Sequence, residues 1–190
     1  MAIDQAAAAP RAAADTSRYD KMTIALHWLT AILVIALFAA AYVWNSLPKG
    51  TPLRKELQAI HISLGLLFTV VFIVRLVWRS SGGKRLAAAE AGISALLSRG
   101  MHWLLYCLLI AQMVLGFLLR WAQGEPFEFF GLFSVPSLFA QDKPLAHTYE
   151  MLHNDAAWII IVLAAGHALA ALGHHYLLRD GVLKRMMPHG

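Results

Sequence analysis

Long apolar runs alternate with short polar links along this chain. Four runs stand out, at about Met22–Trp44, Leu57–Trp78, Gly100–Trp121 and Leu152–Leu178. A helix rises ~1.5 Å per residue, so about 20 apolar residues cross the ~30 Å of bilayer hydrocarbon. Each run meets that length, and the links between them hold the breakers and charges: Pro48, Gly50 and Pro52 in the first, Ser80-Ser81-Gly82-Gly83-Lys84-Arg85 in the second. The pattern predicts an all-α, integral-membrane, four-helix bundle, and the short links predict up-down-up-down order. Residues 1–18 are alanine-rich, with acids where a signal peptide is basic, and are expected to be a disordered tail before a single membrane domain over 19–190. The 80–99 link is expected to be a polar connection with an alanine-rich stretch along the surface. In the longest link, 122–151, the aromatic portion Pro126–Phe133 is too short to span and is expected to fold over the mouth of the bundle.

Composition changes the picture only by strengthening it. The chain is 59% hydrophobic and 14% charged, against about a quarter charged in a soluble domain. A net charge of +5 would suggest nucleic acid for a soluble protein, but the cations cluster at the ends of apolar runs, where they set topology instead. The two tails, the 80–99 link, Arg75 and Arg79 carry eleven of the sixteen Lys and Arg residues. The positive-inside rule therefore puts both termini in the cytoplasm. A single cysteine, Cys107, excludes an intrachain disulfide and any thiolate metal cage.

Histidines carry the candidate chemistry. His153 and His167 lie fourteen residues apart in the fourth run, so they share a helix face within about 40° and are roughly 21 Å apart in depth. The predicted topology puts His27 at the depth of His167, toward the cytoplasm, and His61 at the depth of His153, toward the outside. Each pair joins two helices, the arrangement that clamps a flat macrocycle between axial imidazoles. Ionisable groups inside a membrane are costly and count as functional candidates. The spacing favours two haems, one near each surface, over a structural set of histidines or a single zinc or copper ion. His174 lies seven residues past His167 on nearly the same face, so it is an alternative ligand; failing that, it is a candidate to support a ligand from behind or to bind the substrate. Arg75 is placed to snorkel to the headgroups, to pair with a haem propionate, or to do both. His102 is read as a helix-interface or hydrogen-bonding residue, not a ligand. Lys49, Arg54, Lys55, Arg120 and Lys143 either draw an anion toward the outer haem or contact headgroups.

Together these residues resemble the bacterial cytochrome b561 family of dihaem inner-membrane proteins. The likeness runs from Tyr19 onward through Ile24-Ala25-Leu26-His27-Trp28-Leu29, Ile60-His61-Ile62-Ser63-Leu64-Gly65, Arg75, His102 with Tyr106, Phe129-Phe130-Gly131-Leu132, His153, His167, and Gly173-His174-His175-Tyr176 through Lys184-Arg185-Met186-Met187-Pro188. The resemblance implies that His27, His61, His153 and His167 are the axial ligands of two haem b groups. It implies that His174 lies near ubiquinone, and that the protein passes electrons from superoxide to that acceptor. A cytochrome subunit joining a dehydrogenase or hydrogenase to the quinone pool is the alternative, and a cofactor-free structural or transport bundle is the third class. Lipid, ubiquinone and superoxide are the expected partners, with a redox protein in the alternative and nucleic acid in none.

Overall fold

The computed structural model describes residues 18–87 and 92–188. Four helices dominate it: α1 (Lys21–Ser46), α2 (Pro52–Ser81), α3 (Gly92–Ala122) and α4 (Lys143–Gly173). A small antiparallel hairpin, β1 (Phe127–Phe129) and β2 (Phe133–Val135), interrupts the link from α3 to α4. Beyond α4 the backbone makes a π turn at His174–Leu178 and a 3-10 turn at Leu183–Met186. All four helices are long and apolar enough to cross a membrane.

Their starts are written in side chains. Asp20 caps α1, accepting from Thr23 N–H at 2.9 Å and from the Thr23 hydroxyl at 2.6 Å; an aspartate there satisfies donors that a helix start leaves orphaned. Asp142 does the same for α4 through Leu145 N–H at 3.0 Å, and Pro52 and Pro144 sit in the first turns of α2 and α4, where no amide hydrogen is needed. At the end of α1, the Arg54 guanidinium donates to the exposed carbonyls of Trp44 and Leu47, so an arginine caps the last turn of that helix.

Two helix starts lie well outside the apolar runs, that of α4 set by its Asp142 cap. The helix expected from about Gly100 begins at Gly92, and the one expected from about Leu152 begins at Lys143. Residues 92–99 and 143–151 are therefore helical extensions and not link. Hydropathy marks the part of a helix that meets lipid, while the caps mark where the helix starts. The aromatic link, expected only as an interfacial segment, forms the β hairpin. Phe130 (φ 47°) and Gly131 (φ 72°) turn it left-handed, with Leu132 N–H on Phe129 O at 2.8 Å. Expectations for residues 1–17, including the tail, and for 88–91 and 189–190 lie outside the described residues.

α1 packs along α2 and α3 along α4, whereas the two pairs touch one another sparsely. The bundle is thus two helical hairpins with a cleft between them. The tightest core joins Leu26 and Leu33 of α1 to Phe68, Val71 and the fully buried Phe72 of α2, with Tyr106, Leu109 and Met113 of α3 against it. Elsewhere apolar side chains point outward, Trp103 (72% exposed) and Leu169 (67%) among them, because the surrounding solvent is hydrocarbon.

The described termini meet at one end, here the terminal end. Tyr19 N–H bonds Arg185 O at 3.1 Å, and the Trp28 indole donates to Met186 O at 2.7 Å. The β hairpin closes the opposite, distal end. Ser63, 2% exposed, pins it there: its hydroxyl donates to Glu128 O (3.1 Å) and accepts from Phe130 N–H (3.0 Å).

Candidate cofactor sites

At the distal end, His61 of α2 faces His153 of α4 across the cleft. Their ring centroids are 6.3 Å apart and the rings nearly perpendicular, at 74°. At the terminal end, His27 of α1 faces His167 of α4 with the same separation, 6.3 Å, and an angle of 73°. The depths agree independently: fourteen residues separate His61 from Arg75 on α2, and Arg75 Nη2 reaches His27 Nδ1 at 3.1 Å. Both pairs therefore bridge the two helical hairpins.

The separation suits a metal. Two imidazoles that each gave one nitrogen to a metal lying between them, at ~2.0 Å with the ring centroid about 1.1 Å behind that nitrogen, would place their centroids roughly 6.2 Å apart. The distal pair also offers the right lone pairs. His61 Nδ1–H donates to Leu37 O at 2.9 Å, which leaves Nε2 as the ligating nitrogen; metal-bound histidines characteristically donate their other N–H in this way. His153 Nδ1 is buried beside the Gln112 carbonyl without reaching hydrogen-bond geometry. Gly116 lets the ring sit there: a Cβ at 116 would meet His153 Cε1 at 3.2 Å and Nδ1 at 3.6 Å. That carbonyl is the acceptor the Nδ1–H needs if Nε2 is to bind iron, and the Gly116 cradle holds the ring beside it.

The terminal pair has the same span and a different polarity. Arg75 can only donate, so its contact makes His27 Nδ1 an acceptor and puts the ring proton on Nε2. For His27 Nε2 to bind iron, the guanidinium has to release Nδ1. Arg75 does not snorkel to the surface; it lies over the Tyr106 ring, 5.3 Å from its centroid. His102 of α3 joins this site, its ring 5.1 Å from that of His167 and its Nδ1–H donated to Ser98 O at 2.6 Å. With centroids 5.1 Å apart, His102 and His167 are too close to lie on opposite sides of one iron, so His102 neighbours the pair without replacing His27 in it. His174 stands one seven-residue step past His167 and is held by Asp180. Of the small residues near the histidines, a Cβ on Gly65 or Gly166 would meet nothing within 4 Å, which is open space on those faces.

Polar fastening surrounds the terminal site. Besides Thr23, the Asp20 carboxylate accepts from the Trp78 indole at 2.9 Å and Lys84 N–H at 2.9 Å. Burial alone would raise its pKa, but these bonds outweigh it and hold the carboxyl well below the usual range. At the distal end, Arg54 is a helix cap and Arg120 pairs with Glu125. Lys143 lines a small polar recess with Glu125, His147 and Glu150. Three of the five distal cations thus have structural neighbours that account for them.

The sequence model of the prokaryotic cytochrome b561 family matches residues 18–189. The chain belongs to that family. Its members are membrane electron-transfer proteins that bind haem b, and this protein is one of them. It is 33% identical over 171 residues to cytochrome b561 homolog 2 of Escherichia coli (strain K12), covering 90% of this chain and 91% of that protein. It is 29% identical to cytochrome b561 homolog 1 of the same organism, over 90% of this chain and 98% of the relative. A Yersinia pestis protein named probable superoxide oxidase CybB is 30% identical, over 90% and 96%.

Several participants are hidden from sequence reasoning. Gly116 and Asp180 have no pattern that marks them before the fold is known. The histidine of α3 is visible in the sequence, but its approach to His167 is not. The ending Arg185-Met186-Met187-Pro188 stands out as a motif; its physical task, through the Met186 carbonyl, is to seat the Trp28 indole.

Proposed function

We propose that this cytochrome holds two haem b groups, one between His61 and His153 and one between His27 and His167, and moves electrons through the bilayer between them. The matched 6.3 Å ring separations, both across the cleft, carry this reading. Haem iron held by two histidines supplies one-electron chemistry with no open coordination position, so electrons leave and arrive by outer-sphere transfer. The protein's part is to fix spacing, polarity and access. Arg75, on releasing His27, is placed to pair with a carboxylate of the terminal-end group.

The cation distribution orients the terminal end toward the cytoplasm of a bacterial inner membrane. Superoxide is the proposed donor at the distal end and ubiquinone the acceptor near His174: two superoxide anions give two dioxygen and two electrons, and those electrons with two protons convert the quinone to quinol. The likeness to a protein named probable superoxide oxidase supports this choice of donor. The test is superoxide decay by stopped flow with purified, haem-loaded protein and ubiquinone-1. Decay faster than spontaneous dismutation, with quinol formed, is expected. Decay no faster than dismutation removes superoxide as the donor. Co-purification of a dehydrogenase or hydrogenase in that case assigns the protein as its connecting subunit.

A further inference from the structure

The end of α4 carries a second polar construction, whose meaning rests on the quinone reading above. The helix widens into the π turn at His174–Leu178, and Arg179 follows in the left-handed region at φ 54°. π turns are rare and concentrate at functional sites, and a non-glycine residue at positive φ is held there by its surroundings. The reversal folds Asp180 back onto the helix. His174 Nδ1–H donates to Asp180 Oδ2. Asp180 Oδ1 accepts from Val182 N–H at 3.1 Å, and Asp180 N–H approaches His174 O at 3.4 Å. Burial works against the Asp180 charge, yet the His174 and Val182 bonds hold its carboxyl below the usual range. The pair is neither sealed nor fully solvated, with side chains 21% and 30% exposed. His174 lies seven residues from His167, which is ~10 Å along the helix and about 20° around it.

We propose that Asp180 is a positioning residue that grips His174 through Nδ1 so that His174 Nε2 delivers protons to the quinone oxygen as electrons arrive from the terminal-end site. A carboxylate on Nδ1 lets the imidazole carry a second proton on Nε2 and stabilises the resulting cation. With each electron, the Nε2–H bond breaks and an O–H bond forms on the quinone. The ring is left neutral with its remaining proton on Nδ1, and water at the terminal end restores the one lost. Two such cycles account for the two protons of the quinol. An asparagine at 180 keeps an oxygen for Val182 N–H but presents an amide donor to Nδ1. The ring then has its proton on Nε2 as a neutral imidazole, able to hydrogen-bond the quinone and unable to protonate it.

The experiment uses purified full-length protein with its haems reduced, mixed with ubiquinone-1 while the haem bands are followed. Asp180→Asn is expected to keep haem content and spectrum. It should slow reoxidation at saturating quinone about tenfold or more, the scale of a lost general acid, with the half-saturating concentration little changed. Asp180→Glu should restore most of the rate, and wild-type reoxidation should slow in D2O. A wild-type rate in Asp180→Asn, a loss confined to half-saturation, or no D2O effect on the wild type overturns the proposal. The D2O arm stands even if the variant fails to fold. Wild-type haems that quinone does not reoxidise at all overturn the acceptor reading itself, a different and recognisable result.

Discussion

At the distal end, neutral groups hold the imidazoles: a backbone carbonyl on His61, a glycine surface under His153, and a serine hydroxyl pinning the hairpin above them. At the terminal end the neighbours are charged or ionisable: Arg75 on His27, His102 against His167, Asp180 on His174, Asp20 fastening the start of α1 to the end of α2. The ring separation is the same at both ends. What differs is whether protons and charge can be rearranged beside the rings. A site that only passes electrons needs rigid, neutral walls, while one that hands electrons to a quinone also needs protons. The contrast teaches that one ring geometry can be set in walls of opposite polarity, which on the proposed function would suit the terminal end to the proton-coupled step.

The most drastic way to break the comparison is to remove one ring from each end. His153→Ala and His167→Ala should each reduce porphyrin content from two per chain to one, and redox titration should show that different components are lost. Equal loss of both components from either variant would mean that the ends are not separate sites. Gly116→Ala comes next. Alanine favours a helix by about 1 kcal/mol over glycine, so the fold is not weakened locally. The added methyl displaces His153, and retention of the distal haem should fall about tenfold, in the range found for groups that orient metal ligands. Intact terminal-end absorption in the same sample shows that the effect is local.

Arg75→Gln sharpens the contrast in charge. A cation beside an iron centre favours the reduced state, so its removal should lower the terminal-end potential, on the order of 50–100 mV. The distal potential should hardly move. Equal shifts at both would place Arg75 between the sites instead of at one. The smallest effect concerns the two fastenings. Asp20 has a depressed native pKa, so it stabilises the fold above the unfolded carboxylate value of about 4. That contribution is lost as pH falls through the lower native value. Thermal unfolding followed from pH 6 to 3 should therefore show an acid-dependent loss that Asp20→Asn reduces. Ser63→Ala should cost roughly 1–3 kcal/mol at the distal end for its buried partners, with no dependence on pH.

The bundle and the pairing of its histidines were legible because bilayer thickness and helical rise convert sequence spacing directly into depth. Fourteen residues on α4 and fourteen on α2 state the same distance twice. Helix starts were less legible: Asp142 lies in a polar link and Gly92 in an alanine-rich stretch, and only a cap or a left-handed glycine marks them. The wall of each site was not legible, because it depends on contacts between helices far apart in sequence. Gly116 looks like any small membrane residue until His153 is seen against it, and Asp180 looks like a solvated loop acid until the π turn brings it back. The β hairpin was hidden for another reason: its turn uses Phe130 at positive φ, where sequence rules look for asparagine or glycine.

The cleft between the two helical hairpins has a consequence for biogenesis. Each hairpin can enter the bilayer as a self-contained antiparallel unit, with its own interior contacts made as it emerges. The two halves then meet at a few places only, the apolar contacts of Phe72 with Tyr106 and of Phe38 with Trp158 and the two histidine pairs among them. On the proposed haem placement, porphyrin capture would add the remaining links between the halves and so couple maturation to haem supply.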